Sequence, residues 1–217
     1  HGPVWAVLNP QVTLSLNPGI NLISVPLNPG KRWTLSDLAD FIGRDKVNKI
    51  VYVENGRFTS CKPGGANYVP VEGGKAYIVD MKSSASIAFV GKSWDGEVSL
   101  LKGLNAIAVP VNPGFWRVSD LADHIGPGLS SIIWYDNALR RFVAYSPAFP
   151  NFGDAMISAG QGYIVSMKEP VTITFEGEDQ EVTIYRGSLD DVPVLLIENK
   201  KYLSQGPYVH SDVPFRD

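Results

Sequence analysis

A chain of 217 residues with 44% hydrophobic and 19% charged side chains and a net charge of −3 has the composition of a folded protein, since a disordered tail is less apolar and more strongly charged. That charge balance offers no basic footprint for nucleic acid or for an anionic membrane surface, and no apolar run reaches the roughly 18 residues of a membrane helix. A single cysteine, Cys61, excludes an intrachain disulfide and a cysteine-based zinc site.

The opening His1-Gly2-Pro3 is taken as a processed terminus, a tag remnant or the edge of an excised domain. Strands are expected over residues 12–16 and 22–27, joined by a glycine turn, with Pro26 near an edge-strand end. Asn28-Pro29-Gly30 makes a tight turn. Ser36 is the expected N-cap of a short helix that buries Leu38 and Ile42 and stops at Gly43. A hairpin over 49–53 and 57–60 follows, across Glu54-Asn55-Gly56, and strands over 76–81 and 86–90 close the unit.

The same grammar then runs again. Leu16 to Gly30 falls on Leu100 to Gly114, with Asn-Pro-Gly at the end of both, at an offset of 84 (100 − 16). Ser36-Asp37-Leu38-Ala39-Asp40-Phe41-Ile42-Gly43 falls on Ser119-Asp120-Leu121-Ala122-Asp123-His124-Ile125-Gly126. Tyr52 matches Tyr135, Phe58 matches Phe142, Asn67-Tyr68 matches Asn151-Phe152, and Tyr77 to Lys82 matches Tyr163 to Lys168. Strands are accordingly expected over 98–101, 106–111, 132–135, 141–145, 162–167 and 172–175, with Ser119 as the second N-cap and both Val25 and Val109 buried. Self-similarity on this scale is the signature of a repeat. The expected fold is α+β and β-dominated: two homologous copies, 12–94 and 95–178, each of five or six mostly antiparallel strands and one short helix. Residues 179–217 form an extension or the start of a further unit, because Glu181-Val182-Thr183-Ile184 lies 84 residues after Glu97-Val98-Ser99-Leu100.

On Gly19-Ile20-Asn21-Leu22-Ile23-Ser24-Val25-Pro26, its second copy, and the closing Gly74-Lys75-Ala76-Tyr77-Ile78-Val79 and Gly160-Gln161-Gly162-Tyr163-Ile164-Val165, the chain resembles a tandem repeat of large bacterial secreted or surface proteins. The resemblance spans residues 12–178. It implies a non-catalytic module of a longer exported chain, extracellular or at the cell surface, and carries no agreed ligand. The tail segments Tyr185-Arg186-Gly187, Val192 to Leu203 and Gly206-Pro207-Tyr208 are similar to a stretch of starch and glycogen synthases that lies away from most of that family's catalytic residues. The sugar-nucleotide motif of those enzymes is imitated by Lys62-Pro63-Gly64-Gly65-Ala66, which becomes Ser146-Pro147-Ala148-Phe149 in copy two and is therefore taken as a turn.

Candidate chemistry is sparse. His1-Gly2 is similar to the start of lytic polysaccharide monooxygenases, which implies a copper brace from His1 with His210 as its partner. His124 takes the helix position of Phe41 and is expected to pack there. Asp37/Asp40 and Asp120/Asp123 suit the helix dipole better than calcium or acid–base work. Cys61 aligns with Tyr145 as a small strand residue, and no Gly-x-Ser-x-Gly occurs. No catalytic residue and no cofactor are expected.

Binding is left. Copy one reads Thr59-Ser60-Cys61-Lys62-Pro63-Gly64-Gly65-Ala66-Asn67-Tyr68 where copy two reads Val143-Ala144-Tyr145-Ser146-Pro147-Ala148-Phe149-Pro150-Asn151-Phe152. A loop that gains aromatics on a constant scaffold is a candidate recognition surface. Trp116, Tyr145, Phe149 and Phe152 are the candidates for stacking on a glycan or a peptide, with Phe149, opposite Gly65, the most exposed. The alternative is that these rings pack the loop onto the core. The leading expectation is a non-catalytic structural or interaction module of an exported multidomain protein. A carbohydrate-binding module is the runner-up, and a copper enzyme the distant third.

Overall fold

The computed structural model describes the backbone of residues 6–7, 11–65, 68–110, 115–176, 183–189 and 192–198, and side chains within 11–65, 68–110 and 115–176. A two-residue strand, β1 (Ala6–Val7), comes first. From residue 11 one series of elements runs twice. Copy one comprises β2 (Gln11–Leu16), β3 (Gly19–Ser24), α1 (Leu35–Ile42), a 3-10 turn (Arg44–Lys46), β4 (Val47–Glu54), β5 (Arg57–Cys61), β6 (Ala76–Met81) and β7 (Ala85–Val90). Copy two comprises β8 (Glu97–Leu100), β9 (Gly103–Ile107), α2 (Val118–Ile125), β10 (Leu129–Asp136), β11 (Arg141–Tyr145), β12 (Tyr163–Met167) and β13 (Val171–Thr174). The strand orders match as well: β3-β6-β4-β5 and β9-β12-β10-β11, each with an antiparallel ribbon, β2-β7 or β8-β13. Residues 11–177 make one unit. Residues 1–10 and 178–217 make another, in which β1 pairs with β14 (Thr183–Leu189) and β14 with β15 (Val192–Glu198), all antiparallel. No helix among the described residues is long and apolar enough to cross a membrane.

Period-two alternation divides each sheet's side chains between two layers. From copy one, Ile23, Ile50, Tyr77, Val79 and Met81 join Leu16, Ile87 and Phe89 of the ribbon and Leu35, Leu38, Ala39 and Ile42 of α1 in one core. Ile107, Ile132, Tyr163, Val165 and Met167 do the same with α2 and the second ribbon. The opposite faces, Leu22 and Ala76 from one sheet and Ala106 and Ile164 from the other, pack on each other with Val53, Ile78, Leu104, Ile133 and Tyr135 around them. The layers therefore run helix and ribbon, sheet, sheet, ribbon and helix.

The edges interlock reciprocally. Ser24 N–H donates to Gly160 O at 2.8 Å, and Ala108 N–H, 84 residues after Ser24, donates to Gly74 O at 3.0 Å. Bridges Ile23–Gln161 and Lys75–Ile107 are the same pair exchanged, which is a pseudo-two-fold relation. Gly74 and Gly160, at φ +74° and +79°, lie against the first strand of the other copy. A Cβ on Gly74 would come 2.5 Å from Val98 Cγ2, and one on Gly160 2.3 Å from Leu14 Cδ2. The Asn of the Gly-x-Asn motif is structural. Asn21, fully buried, accepts from Asn17 N–H and donates to Asn17 O and Gly19 O, and Asn105 repeats this with Leu101 and Gly103.

Several details differ from the sequence reading. β3 and β9 begin at the glycine and end at Ser24 and Ile107, before Pro26 and Pro110, because their last residues pair across to the other copy. The helices start one residue before the serines: the N-caps are Thr34 and Arg117, not Ser36 and Ser119. Thr34 Oγ1 accepts from Asp37 N–H while Thr34 N–H donates to the Asp37 carboxylate at 2.7 Å, a capping box. Val25 is buried, but Val109 only partly. Finally, Ile50 and Ile132 hold the same place opposite Val79 and Val165, an offset of 82 (132 − 50). Tyr52 therefore corresponds to Trp134 on the helix side, and Tyr135 lies one residue on, in the layer between the sheets.

Candidate functional site

The structure separates the four aromatic candidates. Trp116 is half-buried, 5.1 Å from His124 and 6.0 Å from Phe175 between ring centroids. Copy one builds the same cluster from Trp33, Phe41 and Phe89, so this ring belongs to the packing of helix on ribbon, and His124 packs there as Phe41 does. Tyr145 is 4% exposed in the copy-two core, where burial first, then the carboxylates of Asp123, Asp154 and Asp120, raises its phenol pKa. Only Phe149 and Phe152 face solvent, at 68% and 72%, so Phe152 rather than Phe149 is marginally the more open.

The loop that carries them is braced. Ser146 O accepts from Phe149 N–H at 2.9 Å, Phe149 O accepts from Phe152 N–H at 3.3 Å, and Ser146 Oγ donates to Ser130 O at 3.1 Å. Gly153 lies so close to β11 that a Cβ would come 2.0 Å from Ala144 O. The loop then returns by Asp154. Val118 N–H bonds Ala155 O as Leu35 N–H bonds Val69 O, an offset of 86 (155 − 69), against 84 at the Tyr68/Phe152 pair that the sequence aligns. Copy two thus has two extra residues here, Gly153 and Asp154.

Asp154 replaces a lost cap. Arg117 stands where Thr34 does and has no oxygen to offer α2. The Asp154 carboxylate accepts instead from Ser119 N–H at 3.0 Å, Ser119 Oγ at 3.1 Å and Arg117 Nε at 2.7 Å. Partial burial tends to raise its pKa, but hydrogen bonds from Arg117 and Ser119 and the guanidinium charge outweigh this and hold it below the usual 3.8. A depressed carboxyl stabilises the fold above its unfolded pKa and ceases to as pH falls through the depressed value. Asp154→Ala is expected to cost about 1–2 kcal/mol at pH 7. In urea melts the gap to wild type should narrow steadily below about pH 4, and a gap independent of pH would contradict the capping role.

A second feature was not foreseen. A cleft of about 200 Å³ is lined by Val118, Trp134, Tyr135, Asp136, Asn137, Met156, Ser158, Gln161 and Tyr163. It lies at the β10–β11 hairpin, which copy two closes with residues 137–140 where copy one uses only Asn55 and Gly56. Asp136 Oδ1 holds this longer turn, accepting from Ala138 and Leu139 N–H, both at 2.9 Å. Asn137 Oδ1 is buried and has no hydrogen-bond partner. Tyr163 Oη accepts from Ser158 N–H at 3.4 Å, and burial raises the phenol pKa to about 12, so it stays neutral. The signal in the sequence was the hairpin's extra length, Asp136 to Arg141 against Glu54 to Arg57.

Other candidate groups among the described residues pack or cap. Asp40 pairs with Arg44 one helical turn on, Asp37 closes the capping box, and Cys61 packs half-buried against the copy-one core. Lys62 O accepts from Gly65 N–H, so the synthase-like segment begins as a turn. Among the described residues no three His, Cys, Asp or Glu side chains group as a metal site requires. His1 and His210 lie outside the described residues, as do the tail segments past residue 198. No family model matches the chain, and neither a curated protein nor a solved structure matches it.

Proposed function

We propose that this chain is a non-catalytic interaction module and that the loop over residues 146–154 is its contact surface. The observation that carries the reading is the pair Phe149 and Phe152, exposed at 68% and 72% on a loop whose backbone is tied down. Leaving such a ring in water forgoes roughly 1.5–3 kcal/mol of burial, and a braced loop spends little ordering entropy when a partner covers it. The rings bring no hydrogen-bonding group, which suits an apolar side chain of a peptide or protein partner. The Gly-x-Asn-x-Ile-Ser-x-Pro resemblance supports an exported, surface-located parent chain. A carbohydrate-binding reading is favoured by a different observation, the polar and aromatic lining of the cleft at Asn137.

The test is the double variant Phe149→Ala/Phe152→Ala. Because both rings are exposed, Tm is expected to stay within about 2 °C of wild type. Peptides selected from a display library on the wild-type chain should lose at least tenfold in affinity for the variant. Undiminished peptide binding would refute the contact surface, and a large fall in Tm would make the loop structural.

A further inference from the structure

We propose that the cleft between Asn137 and Tyr163 is a binding site for one neutral sugar ring. This deepens the carbohydrate reading and uses no residue of the phenylalanine loop, so the two can fail separately. The first argument is the buried Asn137 Oδ1 without a partner. A buried acceptor left unsatisfied is costly, and the few that native proteins keep call for an explanation such as a ligand. The second is the chemistry of the lining. It contains no Lys, Arg or His, so nothing there recognises an anion, while Asn137, Asp136, Ser158 and Gln161 offer acceptors and neutral donors beside Trp134. A polyol both donates and accepts, and its C–H faces lie well on aromatic rings. Small-ligand sites fix their occupant with a few convergent polar groups.

Size narrows the class. About 200 Å³ far exceeds the roughly 30 Å³ share of a single water and falls below the roughly 300–1,000 Å³ of drug-sized sites, which leaves room for one ring rather than a buried chain. The cleft is also particular to copy two. At the shared offset of 86, Ser158 corresponds to Glu72, Gln161 to Lys75 and Met156 to Pro70. Copy one thus has charges of both signs where copy two is neutral, and it lacks the lengthened hairpin that places Asn137.

The experiment is saturation-transfer NMR on the 217-residue chain with glucose, galactose, mannose, N-acetylglucosamine and their β-linked disaccharides at millimolar concentration. Transfer to at least one sugar is expected. Asn137→Leu should lower that affinity at least tenfold while raising Tm by about 2–4 °C, since it removes an unsatisfied buried oxygen without changing volume much. Met156→Trp, at an exposed lining position, should plug the cleft with the same loss of binding, and it serves if Asn137→Leu fails to fold. Phe149→Ala/Phe152→Ala should bind as wild type. The proposal is overturned if no sugar shows transfer. It is also overturned if the cleft variants bind undiminished, or if binding is lost only with the phenylalanines.

Discussion

Replacing Gly74 or Gly160 by alanine is expected to lower stability by about 2–4 kcal/mol, a fall in Tm of roughly 5–15 °C. Two costs add. Each glycine sits at positive φ, +74° and +79°, where a side chain costs roughly 1–2 kcal/mol. Each new Cβ would also press on a branched side chain of the other copy, 2.5 Å from Val98 Cγ2 or 2.3 Å from Leu14 Cδ2. Valine is stiff at χ1, so Gly74→Ala should be the worse. Gly19→Ala is the control, because Gly19 has φ +88° but nothing within 4 Å of its would-be Cβ. Urea unfolding of the three variants separates strain from contact. If Gly74→Ala costs no more than Gly19→Ala, the close approach between the copies is not what holds them together.

The second large effect concerns copy one alone. A fragment of residues 11–94 keeps its own core but bares Leu22, Ala76, Ile78 and Val53, and it loses the carbonyl of Gly160 that accepts from Ser24. Because the exchange is reciprocal, a second fragment can supply what copy two supplied: Gly74 O takes the place of Gly160 O at an offset of 86. The fragment is therefore expected to form a two-fold dimer whose melting temperature rises with concentration. Sedimentation equilibrium combined with melts over a hundredfold concentration range checks this, and a folded monomer with a concentration-independent Tm would contradict it.

The repeat was legible because the scaffold is written in residues whose reasons are local. The buried stripe of α1 and α2 is visible as apolar i, i+4 spacing, and strands β6 and β12 as alternation. Where the reading slipped, a tertiary contact decided. Ser36 and Ser119 look like caps, but Thr34 accepts at one helix, and at the other the cap comes from Asp154, 37 residues after Arg117. Tyr52 and Tyr135 are the same amino acid, yet register puts them on opposite faces of equivalent strands. The candidate site was half visible. Phe149 and Phe152 stood out because copy one lacks a ring opposite Phe149. Tyr145 looked the same in one dimension, but its place opposite Ile132 on β11 turns it inward. The cleft left only the hairpin's extra length as a trace, because its lining comes from residues 118, 134–137, 156, 158, 161 and 163, brought together by the sheet rather than by sequence.

The exchanged edges also bear on synthesis. Copy one is complete once residue 94 has emerged, but the segment that covers Leu22 and pairs with Ser24, residues 160–162, is still about 70 residues away. At 5–20 residues per second that leaves the inner face of the first sheet uncovered for roughly 4–14 s. During that interval its best complement is the same face on a neighbouring nascent chain of the same polysome. Pairing between chains would bury the same apolar surface as pairing within one. What favours the monomer is effective concentration, since the second copy is tethered to the first by the short loop over residues 91–96.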